Sequence, residues 1–298
     1  MIFEPKRGPH FELSDAAARR GLSEMRSVLL LGWAVGALAV LTAQTGAQDK
    51  PATLLAAHRG GALLWPENSL LAFRNAVALG ADFIEFDVHL SMDGEAVVIH
   101  DPTLDRTTSG SGPVKDRTVA ELKALRLKDR TGTVTEETVP TLDEVAAVAA
   151  KGKRRMLLEI KVDPSRARYP GIEEKVLAIL DRHGMAGSTV VMAFDAPTWR
   201  RVRELRPDVA TCALYEARML GPTTLAAELL TLRSAGVRFI AVEHTAVDAA
   251  VVAQARAAGI GLGAWTVNDA AGMMRLIDAG AAILITDQPD VAKTLLGR

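Results

Sequence analysis

Two carboxylates sit inside a run that is otherwise built like a buried strand, Phe83-Ile84-Glu85-Phe86-Asp87-Val88-His89. Residues two apart on a strand share a face, so Glu85 and Asp87 point one way while Ile84, Phe86 and Val88 point the other. A buried pair of like charges raises one pKa until a proton is held, whereas a divalent cation lets both stay ionised and uses their oxygens as ligands. The pair reads as the nucleus of a metal site; the plainer alternative is an edge strand with its polar face in water.

Other chemistry-bearing residues fall at the ends of similar apolar runs: His58-Arg59, His100-Asp101, Glu159 with Lys161, and Trp265. Glu159 and Lys161 are again two apart. Three carboxylates plus waters make an oxygen-rich site suited to Mg²⁺ or Ca²⁺, and the absence of a nearby Cys weighs against zinc. Arg59 and Lys161 would add fixed positive charge for a phosphoryl oxygen that grows more negative in the transition state. Two histidines suffice for one group to take a proton from an attacking hydroxyl and another to give one to a leaving alkoxide. Phosphodiester cleavage is the chemistry that uses all these parts.

These residues need strands to carry them. From residue 52 onward, short β-rich runs alternate with segments of helical period. The candidate strands are Leu54 to His58, Phe83 to Val88, Arg155 to Ile160, Thr189 to Met192, Ala210 to Leu214, Arg238 to Val242, Gly261 to Trp265 and Ile283 to Thr286. Gly80, Gly184, Gly236, Gly259 and Gly280 stand just before strands, where left-handed helix caps belong. Eight strand–helix units in about 250 residues predict an α/β fold, a TIM (β/α)8 barrel, with chemistry at the C-terminal ends of its strands. The interval from Val88 to Arg155 is too long for one crossover. It holds an extended piece at Ala96 to His100, a short helix at Val119 to Leu125 and a helix at Leu142 to Ala150. Residues 101–140 are therefore expected to form a small insertion after the second strand, over the barrel mouth.

The 298 residues are 49% hydrophobic and 24% charged, a globular composition. Arg26, the apolar run Val28 to Leu41 and Thr45-Gly46-Ala47 have the parts of a secretory signal, short of the roughly 20 residues of a spanning helix. Residues 1–47 are thus a leader and signal, and residues 48–298 the barrel. Export to a periplasmic or secreted location is expected, with anchoring to the membrane through residues 28–43 as the alternative and Met25 as a possible true start. Without residues 1–47 the chain carries 30 basic and 32 acidic residues. A net charge near −2 implies no nucleic-acid partner. Cys212 is the single cysteine, which excludes an internal disulfide.

The segments His58-Arg59-Gly60, Pro66-Glu67-Asn68-Ser69, Glu85-Phe86-Asp87, Asp93-Gly94 with Val97-Val98-Ile99-His100-Asp101, Thr103-Leu104-Asp105-Arg106-Thr107-Thr108, Pro140-Thr141-Leu142, Glu159-Ile160-Lys161, Trp265-Thr266-Val267-Asn268 and Thr286-Asp287-Gln288-Pro289 closely resemble the glycerophosphodiester phosphodiesterase family. Nine blocks in order across the chain make the resemblance specific. It implies a TIM barrel with an insertion after the second strand and one divalent cation on Glu85, Asp87 and Glu159. It implies His58 and His100 as the acid/base pair, phosphate contacts from Arg59 and Lys161, and hydrolysis of glycerophosphodiesters to glycerol 3-phosphate and an alcohol. Related phosphodiesterases allow attack by the substrate's own hydroxyl, through a cyclic phosphate. Glu67 either approaches the metal or favours a helix N-terminus.

Ala193 and Ser69 depart from the Ser and Thr common in the family, and Ala193 is expected to cost a hydroxyl near the rim. Trp265 either walls the glycerol pocket, the reading preferred here, or caps the barrel core. Asp101 either orients His100 or ends its strand. His244 has a modest claim on the leaving group, and His10, His89 and His183 have less. The rival functions are a phosphodiesterase of lysophospholipids, which would want an apolar ring at the mouth, and a silent phosphodiester-binding protein, which would lack a ligand or a His. No obligate protein partner is evident.

Overall fold

The computed structural model describes residues 52–220 and 224–298, so the leader, the signal or anchor and its apolar run lie outside the described residues. Eight parallel strands close on themselves: β1 (Leu54–Ala57), β2 (Phe83–Leu90), β6 (Arg155–Ile160), β7 (Thr189–Ala193), β8 (Ala210–Tyr215), β9 (Phe239–Glu243), β10 (Gly261–Trp265) and β11 (Ile283–Thr286). Each pairs with the next, and β1 pairs with both β11 and β2. The expected TIM barrel is present. Around it stand α1 (Leu70–Leu79), α3 (Leu142–Gly152), α4 (Ile172–Arg182), α5 (Ala196–Leu205), α6 (Thr224–Ser234), α7 (Ala249–Ala257), α8 (Ala270–Ala279) and α9 (Pro289–Leu295).

Alternation along the strands makes two cores. Phe83, Leu157, Val190, Met192, Cys212, Ile283 and their neighbours fill the barrel interior. Ile84, Phe86, Val88, Met156, Leu158 and Ile160 face the helices and join the larger outer core with Phe73 and Leu142. Because the period is two, the inward set of β2 continues from Phe83 to Glu85 and Asp87, and that of β6 from Leu157 to Glu159. The apolar barrel floor thus gives way, one strand repeat higher, to carboxylates.

The strand ends differ from expectation in two instructive places. β1 stops at Ala57, and His58–Gly60 forms a 3-10 turn with Arg59 in the left-handed region at φ 50°. A continued strand would point His58 and Arg59 to opposite faces, whereas the turn brings both to the mouth. Gly60 follows at φ +82°, where a Cβ would come within 2.7 Å of the Ala72 Cβ; the close approach of α1 requires glycine here. β2 runs on to Leu90 and pairs antiparallel with β3 (Ala96–Val98), so the hairpin projects beyond the barrel.

Residues 101–140 contain α2 (Val119–Ala124), β4 (Arg126–Lys128) and β5 (Val134–Thr138), with β4 and β5 antiparallel. Val97, Ile99, Leu104, Val114, Leu122, Leu127 and Val139 form a separate small core, with Val119 and Leu125 packed against it. Capping boxes Thr118/Glu121 and Thr141/Glu144 start α2 and α3.

Candidate active site

The register of β2 against β6 sets Asp87 beside Glu159. With Glu85 one repeat below, the three offer carboxylate oxygens within 4.8 Å of one another. All are buried, at 2%, 1% and 9% exposure for Glu85, Asp87 and Glu159. Lys161 Nζ donates to Glu159 Oε1 at 2.8 Å and lies 3.3 Å from Asp87 Oδ1. Asn68 Nδ2 donates to Asp87 Oδ2 at 3.0 Å, and the Arg59 backbone N–H donates to Glu85 Oε2 at 2.8 Å.

Two fixed cations face three carboxylates, and the imbalance shows in their acidities. Burial pushes Glu85 up to about 7, with the Asp87 carboxylate reinforcing it and His58 opposing it. Burial also disfavours ionised Asp87, yet Lys161, His100 and Arg59 hold it well below the usual carboxylate range. Burial works against the Lys161 ammonium too, but Glu159 and Asp87 keep its pKa above the ordinary value. Oxygen-only donors, buried, converging and short of one positive charge fit a hard divalent cation.

Both catalytic candidates are held in the same way. His58 Nδ1 donates to Asp287 Oδ1 at 2.6 Å, and His100 Nδ1 donates to Asp101 Oδ1 at 2.7 Å. An ionised carboxylate only accepts, so each imidazole carries a proton on Nδ1 and turns Nε2 away from its aspartate. Nε2 of His58 lies 4.0 Å from Glu85 Oε2. Asp287 is itself fixed by Asn268 Nδ2 at 2.6 Å. Asp101 is thus an orienting partner of His100, which answers the choice left open by the sequence.

His58, Arg59, Glu85, His100, Glu159, Lys161, Trp265 and Phe194 surround a cavity of about 70 Å³. Arg59 Nε is buried beside Asp87, 3.6 Å from Oδ2, with no hydrogen-bond partner, and Trp265 Nε1 is likewise buried and unpaired. Two unmatched donors at one cavity are what an oxygen-bearing ligand would satisfy. The Trp265 ring meets Phe194 edge-on at 5.7 Å between centroids, and it also packs on the barrel core. The two readings of Trp265 are therefore compatible. His100, Glu159, Lys161 and Phe194 also line a neighbouring trough of about 690 Å³.

Seven of the eight site residues named from the sequence line this cavity, and the eighth, Asp87, lies behind it against Lys161 and Arg59. Glu67 lies outside the carboxylate triad: it accepts from Arg59 Nη1 at 3.1 Å and from Arg106. It also precedes the helix cap, which is Ser69, whose Oγ accepts from Ala72 N. Ala193 packs in the outer core, so the hydroxyl lost there belongs among apolar side chains and not at the rim. His89 is fully buried, bonded to the Tyr169 hydroxyl and the His100 carbonyl, and burial pushes it down to about 4. Sequence reasoning gave no role to Asp287, Asn268, Asn68 or Arg106. Asp287 did stand in the Thr286-Asp287-Gln288-Pro289 block and directly after an apolar strand, as His58 does, but neither position names its partner.

Residues 58–291 match the Glycerophosphoryl diester phosphodiesterase family. A glycerophosphodiester phosphodiesterase of Caldanaerobacter subterraneus subsp. tengcongensis is 34% identical over 245 residues, which is 82% of this chain and 98% of that one. One from Bacillus subtilis is 34% identical over 254 residues, 80% of this chain and 84% of that one. Among solved structures, an Oleispira antarctica phosphodiesterase in complex with the product sn-glycerol-3-phosphate aligns with a TM-score of 0.70 at 25% identity, covering 82% of this chain and 97% of that one.

Proposed function

The chain belongs to the glycerophosphoryl diester phosphodiesterase family, and from that membership we propose how its side chains divide the work. The protein is a phosphodiesterase that hydrolyses small glycerophosphodiesters to glycerol 3-phosphate and an alcohol. Glu85, Asp87 and Glu159 hold one divalent cation, Ca²⁺ or Mg²⁺, which when bound supplies a Lewis acid for a phosphoryl oxygen. Arg59 and Lys161 meet the same phosphate, and the unpaired Arg59 Nε is the donor left over for it. Trp265 walls the pocket.

His58 and His100 act as the acid/base pair. The observation that carries this assignment is that both imidazoles are held by an aspartate at Nδ1, across one cavity from the acidic triad. One Nε2 removes the proton of the attacking hydroxyl, and the other protonates the departing alkoxide. In the two-step version the attacker is the substrate's own glycerol hydroxyl, and water then opens a cyclic phosphate with the roles reversed. Phosphorus NMR of a slowed variant tests it: a transient cyclic phosphate is expected, and direct conversion without one contradicts the two-step route.

The lysophospholipid reading draws little support from the insertion. Its apolar residues Val114, Leu122 and Leu127 are spent on a core of their own, and Val134 is the exception at 53% exposure. The silent-binder reading lacks a missing ligand to rest on. Release of glycerol 3-phosphate from glycerophosphocholine and from lysophosphatidylcholine, with and without chelator, separates the three. We also propose that the protein is exported, on the signal-like residues 1–47. No helix of the described residues is long and apolar enough to cross a membrane. N-terminal sequencing of the mature protein from the periplasm or medium would give a residue near 48 if this holds.

A further inference from the structure

Arg106 comes from the insertion, and its guanidinium makes four hydrogen bonds to two carboxylates. Nη1 donates to Glu67 Oε2 at 2.8 Å and Nη2 to Glu67 Oε1 at 2.9 Å, while Nε donates to Asp101 Oδ2 at 2.7 Å and Nη2 also to Asp101 Oδ1 at 2.9 Å. Each carboxylate has one further partner of consequence: Glu67 takes Arg59 Nη1 at 3.1 Å, and Asp101 takes His100 Nδ1 at 2.7 Å. An unbroken chain therefore runs Arg59, Glu67, Arg106, Asp101, His100. It joins a phosphate-facing guanidinium that follows β1 to an imidazole that follows β3, and Arg106 is the link between the halves.

We propose that Arg106 is a positioning residue for catalysis, setting Arg59 through Glu67 and His100 through Asp101 while itself staying out of the cavity. The proposal rests on the functional reading above and assigns the insertion a part in the reaction. Stability alone is a poor account of the arrangement, because each carboxylate that Arg106 grips turns its remaining bond to a side chain of the cavity, Glu67 to Arg59 and Asp101 to His100. Geometry is a better one: a planar fork with five N–H donors can grip two carboxylates edge-on at once, whereas an ammonium is a point charge that fixes neither plane. Without the fork, Asp101 can rotate away from His100 Nδ1 and Glu67 can draw Arg59 from the phosphate.

Arg106 also lines a surface cleft of about 340 Å³ with Glu67, Thr107 and Lys128, so free guanidinium can reach the space an alanine would leave. The test compares wild type, Arg106→Ala and Arg106→Lys in glycerol 3-phosphate release. Arg106→Ala is expected to keep its fold by circular dichroism, lose about ten- to a hundredfold in kcat with little change in KM, and regain activity with millimolar guanidinium. Arg106→Lys should recover less than guanidinium does. In ¹⁵N spectra the His100 Nδ1–H of Arg106→Ala should exchange faster than in wild type, a readout that needs no turnover. A kcat within twofold of wild type, or a loss that guanidinium leaves untouched with His100 unchanged, overturns the proposal. Should Arg106→Ala fail to fold, Glu67→Gln and Asp101→Asn cut the chain on either side; unchanged kcat in both overturns it equally. Wild type without any hydrolysis would defeat the functional reading instead, and the His100 signal would still decide the role of Arg106.

Discussion

Asp287 accepts a 2.6 Å hydrogen bond from Nδ1 of His58, a residue 229 positions earlier, so the last barrel strand sets the imidazole that follows the first. Strands β1 and β11 are neighbours because the barrel closes, with Ala57 opposite Thr286. Closure is thus a condition of the chemistry and not only of the fold.

Asp287→Asn tests that dependence. An amide can present its NH₂ to His58 and favour the tautomer with the proton on Nε2, which removes the free lone pair from the cavity. We expect kcat to fall by about a hundredfold or more with the fold retained and the melting temperature modestly lowered, by analogy with other Asp-held catalytic histidines. Steady-state kinetics on the folded variant decide it, and a fall of under threefold would remove Asp287 from the account.

The metal site gives a second prediction. Glu159→Gln removes one charged ligand of three and leaves Lys161 facing an amide. Calorimetric titration with Ca²⁺ or Mg²⁺ should show weaker binding by about ten- to a hundredfold. Wild-type binding should also release protons near neutral pH, because Glu85 sits at about 7 when no cation is present. Equal affinities in variant and wild type would place the ion elsewhere.

Acid should destabilise the chelated protein in a definite window. Burial works against ionised Glu67 and Asp287, but Arg106 and His58 outweigh it; Asp101 is lowered by its bonds from His100 and Arg106. A depressed folded pKa adds stability that is complete above the unfolded value, near 4, and is lost as pH falls through the folded value. Urea midpoints should therefore drop between about pH 5 and pH 2, less steeply in Glu67→Gln. Glu85, raised by burial, works in the opposite sense down to its unfolded value, so the decisive comparison lies below it: midpoints equal at about pH 4 and pH 2 would contradict this.

The outer core supplies a control far from the chemistry. Phe73 on α1 is fully buried and meets Phe86 edge-on at 5.6 Å. Phe73→Ala should cost about 3–5 kcal/mol in denaturant unfolding while Asp87, on the other face of β2, keeps its metal.

The inward carboxylates were legible because a period of two is local: Phe83, Glu85 and Asp87 declare one face and Ile84, Phe86 and Val88 the other. The helix-ending glycines were legible for the same reason, as Gly80 at φ 93° and Gly280 at φ 77° cap α1 and α8 in the left-handed conformation. Contacts made by barrel closure were not. Nothing near Asp287 in sequence points to His58, and nothing near Arg106 points to Glu67, 39 positions away. The turn at His58–Gly60 escaped because apolar composition does not reveal where a strand stops. Arg59 adopts a left-handed backbone through its neighbours, the Glu85 carboxylate that takes its N–H and the α1 surface that admits only glycine next.

The most direct measurement is glycerol 3-phosphate release from glycerophosphocholine by purified wild-type protein, first stripped with chelator and then given Ca²⁺ or Mg²⁺, alongside Asp87→Asn and His100→Ala. Release should vanish with the metal, return with one of the two ions, and be lost in both folded variants. Undiminished release from the chelated protein, or from either variant, would contradict a cation-bearing carboxylate triad working with two aspartate-held histidines.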